Sequence, residues 1–205
     1  MGASCSSSAV KVTEKQNQCL VSEQERKLIR RSWRYLTNHY DLTELGCEVF
    51  LAIFELNPEV KKMFPCRDVE GEELLKNPDF KGHASRFMQA VGAAVDHLDN
   101  LQLELEPLLC TLGKTHTNYK DLGFAPDFFD EFTAAIIQTW QRKLGKRFAA
   151  DVCAAWLNML SFVAACMKCG YRKTATTIGY ENCHENVQLN SKQVFNAGMV
   201  NLGRT

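Results

Sequence analysis

Two stretches of helical periodicity each place one histidine on an apolar face, and this pairing constrains the chain more than any other feature. From Asn77 to Leu98, His83 is followed by Phe87, Val91, Ala94 and Leu98 at steps of three or four, so these side chains share one face of a helix. From Leu101 to Tyr119 the order reverses, with Leu105, Leu108, Leu109 and Leu112 leading into His116. Each imidazole is therefore expected to face the core. A single histidine on an apolar face is ordinary core, but two on neighbouring antiparallel helices can meet in one pocket. Imidazole is the commonest side-chain metal ligand, and a flat metal macrocycle can be held by one histidine while the other covers its opposite face.

The residues around the two histidines carry a resemblance. Phe50, Phe54, Glu55-Leu56-Asn57-Pro58 and Met63-Phe64 precede Asn77-Pro78 and His83, and Leu112-Gly113-Lys114-Thr115-His116 follows. Trp33 in the first helix and Pro126 opening a later one complete the run. In order and spacing it resembles a globin over residues 22–170, and within that family it is most similar to globin X, given its two tails, and also to neuroglobin and cytoglobin. The resemblance implies an all-α globin fold, a three-over-three helical sandwich of about seven or eight helices, around haem b (iron protoporphyrin IX).

It also implies roles. His116 would be the proximal iron ligand, its other ring nitrogen donating to a backbone carbonyl just upstream, and His83 would stand on the distal side. Phe50 would lie near the ligand-binding side, and Phe64 would pack flat against the porphyrin. Arg86, one turn after His83, could pair with a haem propionate; the alternative is a solvated surface arginine. Phe87 would stand above the iron, where many globins carry valine or leucine. Neuroglobin has a thiol in the loop comparable to that of Cys66, but its nearby partner has no counterpart between Cys66 and His83, so that disulfide is not expected here. His39 and His97 are read as surface residues.

The remaining helices follow from local signals. Ser22 with Glu25 forms a capping box that opens a helix through Thr37. Asp41 to Leu56 makes a second, and Asn57-Pro58 starts a short third. Pro65 to Lys76 is charged and is expected to be a loop or single turn. Pro126 to Leu144 and Phe148 to Lys168 close the core with Phe129, Phe132, Ile136, Trp140, Val152, Trp156, Met159, Phe162 and Val163. Phe148 to Met167 is long and apolar enough to suggest a membrane span. Asp151, Asn158 and Ser161 would be costly in lipid, which favours a core helix.

A chain of 205 residues is longer than one such domain, which leaves a leader over 1–21, a globin domain over 22–170 and a polar, disordered tail over 171–205. Its 24 basic and 24 acidic residues cancel, so no net field attracts nucleic acid. Nine irregularly spaced cysteines and no signal-peptide core point to a reduced cytosolic setting. Cys166-Met167-Lys168-Cys169, with Cys183-His184, could be read as a zinc or redox site, but the motif sits at a helix end rather than in a knuckle.

Met1-Gly2-Ala3-Ser4-Cys5-Ser6 fits the N-myristoylation pattern at Gly2. One such chain binds membranes only marginally, so stable anchoring needs a second signal, and Cys5 is a candidate for palmitoylation. Lys11 and Lys15, with Glu14 between them, are too few to replace it. Resemblance to globin X, a family with known dual acylation, supports the pair and places the chain at the cytoplasmic face of the plasma membrane. The alternative is a disordered serine-rich leader with a spectator thiol.

Three functions are compatible with these residues. With both histidines on iron, the chain would be a membrane-tethered, six-coordinate globin that binds O2, NO and CO reversibly. It would work in redox chemistry with an electron-donating reductase, with nitrite reduction to NO as a possible enzyme-like side activity. With His83 standing off, it would be a five-coordinate oxygen carrier or store. Without haem, it would be a helical interaction domain.

Overall fold

The computed structural model describes residues 20–175; Gly2, Cys5, Cys183, His184 and the rest of both tails lie outside the described residues. Among the described residues there are eight α-helices and no strand: α1 (Glu23–His39), α2 (Leu42–Leu56), α3 (Pro58–Lys61), α4 (Gly71–Lys76), α5 (Pro78–Asp96), α6 (Glu106–Thr115), α7 (Phe128–Leu144) and α8 (Ala150–Ala175).

Short polar side chains start the early helices. Ser22 Oγ accepts from the Glu25 amide at 3.3 Å while the Ser22 amide donates to Glu25 Oε2 at 2.7 Å, so two of the four orphan amides of α1 are satisfied reciprocally. Asp41 caps α2 through the Glu44 amide at 2.9 Å. Asn57 and Asn77 cap α3 and α5, each followed by a proline whose missing amide costs nothing at that position. The charged stretch before Asn77 contains a six-residue helix, α4, anchored by buried Leu74.

The stretch expected as one helix from Leu101 to Tyr119 is three. Leu101–Leu105 is a π turn in which the Glu106 amide reaches back to the Leu101 carbonyl. Pro107 cannot continue that pattern because it lacks an amide, and α6 begins there. From His116 to Leu122 the chain tightens into a 3₁₀ helix that ends at Gly123. Leu108 is 46% exposed, against the expectation that it faces inward. The buried seam runs Leu105, Leu109, Gly113, and Leu108 sits one position off it, at the solvent edge.

α8 is the central core helix: it packs on α1, α6 and α7, while α2 packs on α5 and α7. It is long and apolar enough to cross a membrane by length and composition, yet its Val152, Ala155, Trp156, Met159, Leu160 and Phe162 are buried against these partners. The α6–α8 crossing is unusually close. A methyl group added to Gly113 would lie 2.0 Å from the Met167 carbonyl oxygen, and one added to Gly170 would lie 2.0 Å from that of Cys110. At the other side of α8, Trp33, Trp140 and Trp156 cluster with ring centroids 5.6–6.4 Å apart, joining α1, α7 and α8. Trp156 Nε1 donates to Ser32 Oγ at 2.8 Å.

α8 also runs past residue 170, where the tail was expected to begin. Tyr171 is buried and its hydroxyl donates to the Phe124 carbonyl at 2.8 Å. Lys168, buried as well, pairs with Asp130 at 2.5 Å and thereby ties α8 to the start of α7. A lysine taken out of water needs such a partner. Cys47, Cys66, Cys153 and Cys166 carry free thiols, whereas Cys169 is disulfide-bonded, which departs from a wholly reduced set.

Candidate functional site

His83 lies on α5 with Phe50 of α2 and Phe64 packed almost perpendicular to its ring, at centroid distances of 4.9 and 5.0 Å. Phe50 is fully buried and also touches Phe87 at 5.2 Å and Phe132 at 5.7 Å, so one aromatic cluster forms this wall. Phe87 stacks at a tilt on Phe132, 5.8 Å away. Arg86 is exposed, and its charge reaches the His83 ring.

His116 closes α6. Its Nδ1 is 2.7 Å from the Leu112 carbonyl, which can only accept, so Nδ1 carries the proton and Nε2 keeps its lone pair. Phe124 and Phe129 hold the ring at 5.1 and 5.3 Å. Sequence reasoning missed Phe124, which sits in the turn after Gly123; a lone aromatic in a polar turn was the available signal.

Burial governs both imidazoles. It pushes His83 down to about 4, helped by the positive charge of His116 and of Arg86. It lowers His116 as well, against the opposing pull of the Leu112 carbonyl. Both rings are therefore neutral near pH 7, the state in which an imidazole can ligate a metal. A continuous run of rings joins them, His83 to Phe50, Phe132, Phe129 and His116, with centroid steps of 4.9, 5.7, 6.4 and 5.3 Å.

The fold and this site define a globin, and the comparisons agree: the globin family model matches residues 47–167, so the chain belongs to the globin family. It is neuroglobin-like. Neuroglobin of Chaenocephalus aceratus is 34% identical over 155 residues, covering 75% of this chain and 94% of the relative. Neuroglobin-1 of Oncorhynchus mykiss matches to the same extent, and neuroglobin of Danio rerio is 32% identical over 157 residues, again covering 75% and 94%. Among solved structures, a hexacoordinated haem protein from an anhydrobiotic tardigrade, at pH 4, superposes with a TM-score of 0.67 at 20% identity, covering 74% of this chain and 96% of that one.

Globins are haem proteins, and the residues here fit that group. His116 offers a bare Nε2 whose ring orientation is set by the Leu112 carbonyl, and His83 stands among Phe50 and Phe64, rings that suit an apolar macrocycle.

The His83 burial has a measurable cost in the haem-free protein. An unfolded imidazole titrates near 6.5 and the folded one at about 4, so between these values the unfolded chain holds the extra proton. Stability should fall as pH drops through this window, by up to about 3 kcal/mol in all. Urea midpoints of the haem-free protein between pH 7 and 4.5 should drop more steeply than those of His83→Phe. Equal slopes would assign the acid sensitivity to other groups.

Proposed function

We propose that the chain is a bis-histidine, six-coordinate globin, with haem b held by His116 as proximal ligand and His83 as distal ligand. The observation that carries this reading is the commitment of His116 Nδ1 to the Leu112 carbonyl, which leaves Nε2 for a metal, together with the run of aromatic rings that joins His116 to His83. The neuroglobin-like sequence is compatible with it, and a hexacoordinated haem protein of a tardigrade shares the fold. When bound, haem supplies an iron centre that binds O2, NO and CO reversibly and exchanges single electrons.

The chain's own residues set how that centre is used. The Leu112 carbonyl, by accepting from Nδ1, raises the basicity of His116 and stops its ring turning. As a haem ligand His83 would compete with a gas for the same position, and apparent gas affinity would scale with the fraction of molecules in which His83 is away. Phe50, Phe64 and Phe87 would keep water from the distal side, and the exposed Arg86 would pair with a propionate. Two histidines held in both oxidation states would limit rearrangement and so favour electron transfer over bulk oxygen carriage. The reading extends to a reductase as electron donor and to nitrite reduction to NO.

His83→Ala tests it. Absorption spectra of the haem-loaded protein, reduced without oxygen, should show sharp split bands in the wild type and one broad five-coordinate band in the variant. An open site in the wild type itself would make the oxygen-carrier reading the better one.

The proposal places the chain at the cytoplasmic face of the plasma membrane through myristoyl on Gly2 and palmitoyl on Cys5. Gly2→Ala should move the protein from the membrane pellet to the soluble fraction of expressing cells; continued pelleting would assign the anchor elsewhere.

A further inference from the structure

We propose that the cleft between α1 and the corner joining α7 to α8 binds a phosphate monoester carried on an apolar or aromatic body. The cleft encloses about 480 Å³ and is lined by neither α5 nor α6, so it is separate from the histidine site and does not depend on the haem reading. That volume is in the range of small-ligand sites.

Three arginines line it: Arg31 and Arg34 from α1 and Arg147 from the turn before α8. All three are exposed, and none has a carboxylate within ion-pair distance among the described residues, although Arg26 and Arg30 on the same helix share Asp99. The single acid in the lining, Asp151, spends Oδ1 on the Val152 amide at 2.8 Å. The lining therefore carries three positive charges against one negative. A phosphate monoester, at about −1.5 to −2 near neutral pH, matches that excess, and guanidinium forks match its oxygens bidentately.

The rest of the cleft suits the body of such a ligand. Arg147 lies 4.5 Å from the centre of the Tyr35 ring, which orients its fork, and His39 stacks on Tyr35 at 4.0 Å. Leu144 and Val152 are buried beneath as an apolar floor. A bare anion would leave this floor unused.

One ligand chemistry here has two sources, a soluble aryl or alkyl phosphate or the headgroup of an anionic lipid, and the test separates them. Haem-loaded full chain, purified without acylation, is titrated calorimetrically with phenyl phosphate, with neutral benzyl alcohol as the comparison. The same protein is floated with phosphatidylcholine vesicles with and without phosphatidic acid. Phenyl phosphate is expected to bind and benzyl alcohol not to, with affinity at least about tenfold weaker in R31A/R34A/R147A. Arg147→Lys, which keeps the charge and loses the fork, should be weakened too, and it serves if the triple variant fails to fold by circular dichroism. Binding to phosphatidic acid vesicles alone, lost in the same variants, would identify a lipid headgroup as the source and sustain the proposal. No binding in either arm, or binding that a folded triple variant retains in full, overturns it.

Discussion

His116→Ala is expected to give a folded protein that does not retain haem. The Leu112 carbonyl accepts from Nδ1–H, so Nε2 presents its lone pair in one ring orientation, between Phe124 and Phe129. Removing even the outer partner of a ligating histidine weakens metal binding by about 10–100-fold, and removing the ligand itself costs more. Haemin titrated into the variant should give no saturable Soret shift, while far-UV circular dichroism stays that of the wild type. His116→Gly with added imidazole should recover part of the band, because a free imidazole can occupy the space the side chain left. Full haem occupancy with unchanged coordination in His116→Ala would refute the assignment.

Gly113→Ala should be more damaging to the fold than any exposed substitution. Its new methyl would meet the Met167 carbonyl oxygen at 2.0 Å, and backbone cannot swing aside as a side chain can. α6 and α8 would have to separate, opening the core on both sides of the crossing and costing about 3 kcal/mol or more. His116 lies three residues further along the chain, so haem uptake should fall with stability. The control is Gly82→Ala on α5, where the added methyl meets only the Arg86 guanidinium at 3.4 Å. That change should raise stability by about 0.5 kcal/mol, since alanine loses less entropy in a helix. Urea unfolding of both variants checks the contrast; a Gly113→Ala protein as stable as wild type would mean the crossing relaxes at little cost.

These expectations also mark where sequence reasoning stops. The capping box at Ser22 and Glu25, the two Asn-Pro starts and the apolar stripe behind His83 are legible because each depends on residues within one or two turns. The Leu101–Tyr119 stretch was harder. Its leucine spacing is helical throughout, but Pro107 splits a π turn from α6, and the seam that faces α8 passes through Gly113 rather than Leu108. A periodic pattern reports a face of an ideal helix, not which partner covers it. The end of α8 shows the same limit. Polar composition after Gly170 suggests a tail, whereas Tyr171 is buried against Phe124, 47 residues earlier, whose carbonyl accepts from its hydroxyl.

Residue order by itself determined an all-helical chain with two inward histidines on successive helical stretches, since periodicity and caps act over a few residues. Only the tertiary structure decided that a run of aromatic rings joins His83 to His116, that α6 and α8 touch backbone to backbone, and that three arginines from two distant segments line one cleft. Those properties are distances and local dielectric between parts of the chain far apart in sequence, and they exist only once the helices have packed.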